Sequence, residues 1–196
     1  GNYLNNITLN NASELSIKNN RGGNSVSSVS DGRYRVDTSS NITFTNNRTE
    51  EASFYADTNV VFSSNVLRNS NRHRFYSWRC HNFSLNHNEY VGRYSHVVYI
   101  EESSKFTVQN DSITYEYGYN DYAYYIRNSS NISILDNYVD QFLNMDYGYG
   151  LVLHGTGDSI FIKRNSFIGY PNYSYNPPFD GIHLNGNIGY IELDSN

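Results

Sequence analysis

The chain has little of what usually staples or charges a domain. Cys80 is its one cysteine, so no disulfide can form within it, and the thiol count neither requires nor excludes an oxidising compartment. Charged residues make up 17% of the 196, below the usual quarter, and the net charge of -5 is modest. The basic residues are scattered apart from Arg68, Arg72, Arg74 and Arg79, so nothing suggests the basic stripe of a nucleic-acid binder. No apolar run is long enough to cross a bilayer and no signal peptide is present; the chain starts at "GNYLNN" as if already processed or excised. No window carries the i, i+3, i+4 apolar stripe of a helix.

What is present is a repeat. "NISILDNYV" (131 to 139) reads Asn, apolar, polar, apolar, polar, polar, Asn, any residue, apolar. The pattern returns as "ELSIKNN" (14 to 20), "NITFTNN" (41 to 47), "NVVFSSNVL" (59 to 67), "NFSLNHNEY" (82 to 90), "KFTVQNDSI" (105 to 113), "SIFIKRNSF" (159 to 167) and "YIELDSN" (190 to 196). The anchors Asn20, Asn47, Asn65, Asn88, Asp111, Asn137, Asn165 and Asn196 lie 27, 18, 23, 23, 26, 28 and 31 residues apart. Periods of that size with one shared core strand are the mark of a solenoid. A second alternating strand precedes the first in most units, as in "HVVYIEESS" (96 to 104) and "YAYYIRNSS" (122 to 130).

These features predict one all-β domain over residues 1 to 196, a β-solenoid of about eight rungs. Rungs stack at about 4.8 Å, so an Asn recurring at one corner sits above the next Asn and both donates to and accepts from it. Asn also tolerates the left-handed backbone that a sharp corner demands. A structural ladder is therefore expected at Asn20, Asn47, Asn65, Asn88, Asn137, Asn165 and Asn196, with Asp111 at the same position. Ile42 and Phe44, Phe83 and Leu85, Phe106 and Val108, Ile132 and Ile134, and Ile160 and Ile162 are expected to stack as the core.

The units resemble the right-handed parallel β-helix repeats of pectate-lyase-like proteins, of NosD-like surface proteins and of many phage and archaeal extracellular proteins. The likeness covers nearly the whole chain, and it implies the right-handed parallel β-helix. Enzymes of that superfamily cleave polysaccharides, either as lyases with a Ca²⁺ cradle and a basic residue or as hydrolases with paired acids. The hydrolase patterns Asn-Thr-Asp, Asp-Asp, Gly-His-Gly and Arg-Ile-Lys are missing; "LHGTGDS" and "FIKRN" come nearest. No catalytic residue, metal or cofactor is assigned, and Ca²⁺ enters only if the protein is a lyase.

Aligning the units places Asp37, Trp78, Glu101, Arg127 and Gly155 at equivalent positions, with Glu101 and Arg127 on adjacent rungs as a solvated charge ladder. The same alignment sets His73 under His96 with Tyr122 next, which reads as stacking rather than a metal pair. His154 with Asp158, and Asp180 with His183, flank turns whose chemistry already explains them. The candidate carbohydrate-binding surface is "RHRFYSWRCH" (72 to 81), through Arg72, Arg74, Tyr76, Trp78 and Arg79, because arginine beside aromatics grips acidic sugars or stacks on their rings. Tyr34, Tyr55, Tyr76, Tyr99, Tyr124 and Tyr125 are expected to form an aromatic ladder on the preceding strand.

Glycan acceptor motifs occur at Asn6, Asn11, Asn41, Asn47, Asn82, Asn110, Asn128, Asn131 and Asn172, which points outside the cell. The chain carries no helical cap, so it is expected either to be a segment of a longer protein or to pair its open ends with other copies, head-to-tail pairing generating a filament. The residues together read as an extracellular or cell-surface glycoprotein with a structural or adhesive role, self-associating head to tail, with glycans as further partners and no nucleic acid. A polysaccharide lyase or hydrolase, and a viral receptor-binding fibre, stay open as alternatives.

Overall fold

The computed structural model describes residues 6–20, 32–68, 74–92, 96–115, 121–141, 148–155, 157, 159–168, 180–186 and 189–196. Every regular element among them is a β-strand, and the strands pair in parallel. A coil of the sixth rung shows the plan: Asp121–Arg127 in a first sheet, Ser130–Leu135 in a second, Tyr138–Gln141 in a third. Each sheet follows chain order from coil to coil, the first two with eight strands and the third with six. This is a parallel β-helix, the all-β solenoid the repeat implies. The complete three-strand coil recurs six times, short of the eight rungs expected, because the first and last coils have no third strand among the described residues.

Register explains the core. In the second sheet Ile42 lies on Val60, then Phe83, Phe106, Ile132 and Ile160, while Phe44 lies on Phe62, Leu85, Val108, Ile134 and Ile162. All are at most 2% exposed. Coils two to five fill the interior with phenyl rings: Phe54 is 4.9 Å from Phe83 at 77°, and Phe83 stacks on Phe106 at 4.9 Å and 6°. Coils six and seven replace the rings by isoleucine, whose stiff branched side chain suits a pleated surface.

At the corner between the second and third sheets, the anchor asparagines form a continuous column of hydrogen bonds. Asn20, Asn47, Asn65, Asn137 and Asn165 each donate both the backbone N–H and Nδ2 to the Oδ1 of the next anchor, at 2.9 to 3.2 Å. Nδ2 also donates to a core-strand carbonyl of the rung before, as Asn65 does to Phe44 at 3.1 Å. The left-handed residue is not the anchor, contrary to expectation. It is the residue before, at Asn19, Asn46, Ser64, His87, Asn110, Asp136 and Arg164, with φ of 54° to 57°. Its side chain is free to vary because it points away from the ladder; the anchor must be an amide because it is buried.

Replacing Asn65 by alanine removes a donor from both Phe44 and Asn88 and an acceptor from Asn47. The expected cost is about 1–3 kcal/mol for each buried group left unsatisfied. Urea unfolding followed by circular dichroism measures it; a midpoint equal to that of the natural protein would show the column to be dispensable.

Candidate functional site

The outward face of the first sheet gathers most of the polar and aromatic side chains expected to act. Tyr55, Tyr76, Tyr99 and Tyr125 stack in successive coils at 5.5, 5.4 and 5.0 Å between ring centroids. His96 lies over Tyr125 at 4.9 Å and beside Tyr122 at 4.5 Å, and the row continues through Tyr149 to His183. Tyr34 and Tyr124 were expected in the same row, but strand alternation turns them inward, where they are at most 1% exposed. Burial raises the Tyr34 phenol to about 12. His73 lies outside the described residues.

Beside this row runs a second outward column: Asp37, Tyr55, Trp78, Glu101, Arg127 and His154. His154, not Gly155, holds the equivalent position; Gly155 is one residue later, at the corner, with φ of 57°. Arg127 Nη1 is 3.4 Å from Glu101 Oε1, and the hydroxyl of Tyr76 donates to Glu101 at 3.4 Å. Arg79 Nε donates to Glu102 at 2.7 Å while its guanidinium covers the Trp78 ring at 4.2 Å.

Of the five residues proposed for carbohydrate, Tyr76, Trp78 and Arg79 share this face, and Arg72 lies outside the described residues. Arg74 is corrected: it is 1% exposed, because it precedes the strand at a tight crossing where its backbone joins Ala52 and Val97. Among the glycan motifs Asn6, Asn11, Asn41, Asn82, Asn128 and Asn131 are exposed and Asn110 is half-buried, while Asn172 lies outside the described residues. Asn47 is a second correction. It is 1% exposed, and its Nδ2 already donates to Ile17 and Asn65, so the ladder role excludes a glycan there.

A second internal column had not been expected. At the corner between the first and second sheets Ser39, Asp57, Cys80, Ser103 and Ser129 follow one another. The N–H of Cys80 donates to Ser103 Oγ at 3.1 Å and that of Ser103 to Ser129 Oγ at 3.0 Å. Asp57 accepts from the N–H of Ser39 at 2.6 Å and of Tyr55 at 3.0 Å, and burial raises its carboxyl to about 6 against those bonds. The signal was a small polar residue two places after five successive first-sheet strands, hidden because the second and third members are Asp and Cys.

The family described as "Periplasmic copper-binding protein (NosD)" matches residues 1–183. No curated protein and no solved structure matches. Copper is held by thiolate, thioether and imidazole ligands, and the described residues do not fit it. No three His, Cys, Asp or Glu come together among them. His96 is stacked among tyrosines, and the Cys80 thiol is buried and pushed up to about 12, chiefly by desolvation. A thiol so protonated is a poor nucleophile as well as a poor ligand. Native protein at pH 8 is therefore expected to leave a disulfide dye unreacted over minutes and to release one equivalent in guanidinium; rapid native reaction would refute the buried placement of Cys80.

Proposed function

This chain belongs to the NosD family, works in the cell envelope outside the cytoplasm, and from that premise we propose a structural or adhesive solenoid that meets acidic envelope glycans at Trp78 and Arg79. The observation that carries this reading is the Trp78 indole with a guanidinium over its face at 4.2 Å, from an arginine whose side chain is 59% exposed. Tyr76, Tyr99 and Tyr125 have neighbouring rings against them, and Tyr55 lies under the Arg35 guanidinium at 4.6 Å. Trp78 offers a face. A uronate carboxylate takes Arg79 from Glu102, and the sugar ring takes the place of the guanidinium over the indole.

The structural half of the reading is supported by where the charges go. Arg33 with Glu51, Arg79 with Glu102, Glu101 with Arg127 and Asp136 with Arg164 all bridge one coil to the next. Each exposed pair contributes little, about 0–1 kcal/mol, yet together they brace the coils along the rod axis.

Trp78 is the one tryptophan, so its fluorescence reports the site directly. Titration with an oligogalacturonate is expected to shift the emission, with Arg79→Ala weakening binding about tenfold or more, as loss of a charge-assisted contact implies. No shift with acidic oligosaccharides, or equal affinity for R79A, would remove the glycan site. Sedimentation velocity across a wide concentration range tests assembly separately: growth to long species supports it, and a monomer throughout ends it.

A further inference from the structure

One rung of the asparagine column differs from the rest. Asp111 accepts at Oδ1 from the N–H of Asn88 at 2.7 Å and from Asn88 Nδ2 at 3.1 Å, as an anchor asparagine does. Its other oxygen therefore stands where the ladder requires a nitrogen. In six other rungs that nitrogen donates to a carbonyl of the preceding coil, at Ile17, Phe44, Phe62, Val108, Ile134 and Ile162. By register with Phe62 the corresponding carbonyl here is that of Leu85. Asn137 Oδ1, which would receive the second amide bond, receives the backbone N–H of Asp111 at 2.9 Å and no other donor among the described residues. By register an ionised Asp111 thus places an acceptor towards two acceptors, with the Tyr90 hydroxyl its one donor at Oδ2 among the described residues. A neutral carboxyl supplies one donor to that place.

We propose that Asp111 is a proton-operated tie between the fourth, fifth and sixth coils, closed when its carboxyl is neutral and loosened when it ionises. The solenoid is then more stable in mildly acid than in alkaline surroundings.

The surroundings favour the neutral form. Asp111 is 1% exposed, and the side chains facing it are Asn88, Asn137 and the phenols of Tyr90 and Tyr124, with Tyr115 beyond Tyr124. No cation stands among these groups. The Tyr90 hydroxyl donates to Oδ2 at 3.3 Å, and Tyr124 Oη has no hydrogen-bond partner among the described residues. Desolvation raises the carboxyl from 3.8 to about 7, opposed by the bonds from Asn88 and Tyr90. An acid raised on folding keeps its proton in the native state after the unfolded chain has lost it. Its stabilising effect is full below about pH 4 and is lost as pH rises to about 7.

The test is urea unfolding from pH 4 to 8 of the natural protein, Asp111→Asn, Asp57→Asn and the double variant. Across that window the natural folding constant is expected to fall by up to about tenfold per pH unit for each retained proton. D111N restores the amide, so it is expected to remove most of that slope and to be more stable than the natural protein at pH 8. D57N removes the carboxyl that is raised only to about 6, and is expected to keep a slope reaching higher pH. A D111N slope equal to the natural one, or D111N less stable at pH 8, would overturn the proposal. Infrared spectroscopy of folded D57N supplies an arm that needs no change at Asp111: a buried protonated carboxyl band near pH 5.5 that fades towards pH 8 is expected, and its absence would equally overturn it.

Discussion

Parallel stacking in register puts every side chain on top of its own equivalent in the next coil, and nearly everything else in this molecule answers to that constraint. An apolar residue then needs only a neighbour of compatible shape above and below. A buried polar residue needs a group that gives upward what it takes from beneath, because the interior supplies no water to finish the bonding. A carboxamide meets that demand with one acceptor and two donors. A serine hydroxyl meets it in a smaller space by accepting from the neighbouring backbone and returning its own proton to a local carbonyl, as Ser103 does with Glu101 and Ser129 with Arg127. The two internal columns are the same solution at two corners.

The constraint also accounts for what could be read from the chain and what could not. The core strands were legible because period-two alternation and a fixed distance to the anchor survive even when loop length varies. The anchor column was legible for the same reason. The left-handed corner was assigned one residue late, since the sequence marks the residue with a demanding side chain and is silent about a residue whose demand is conformational: Ser64, His87 and Arg164 have nothing in common but φ. The serine column escaped notice because Asp57 and Cys80 break its composition without breaking its geometry.

Surface chemistry was less legible. Alternation alone assigns Arg74 and Tyr76 to one face, yet Arg74 lies just outside the strand, where the alternation rule no longer applies. Trp78 and Arg79 do share a surface, and it is the left-handed φ of 56° at Arg79 that folds its side chain back over the indole. The tyrosine row divides by parity into rings that fill the interior and rings that coat the outside. Copper chemistry would need converging ligands, and register works against convergence among the described residues: it spreads like groups into lines along the axis.

The anchor column has a direction as well as a shape. From Asn47 to Asn165 each anchor carboxamide accepts at its oxygen from the earlier coil and gives one amide bond to the later anchor, the other going back to a core-strand carbonyl, so the amide dipoles share a component along the axis. Parallel strands themselves contribute little net dipole, which leaves the column as an aligned array inside a nearly non-polar frame, comparable in kind to the peptide dipoles of a helix. The rod is therefore electrically polar along its length. Asp111, set among these dipoles, feels the positive end of Asn88 on one side and the negative end of Asn137 on the other.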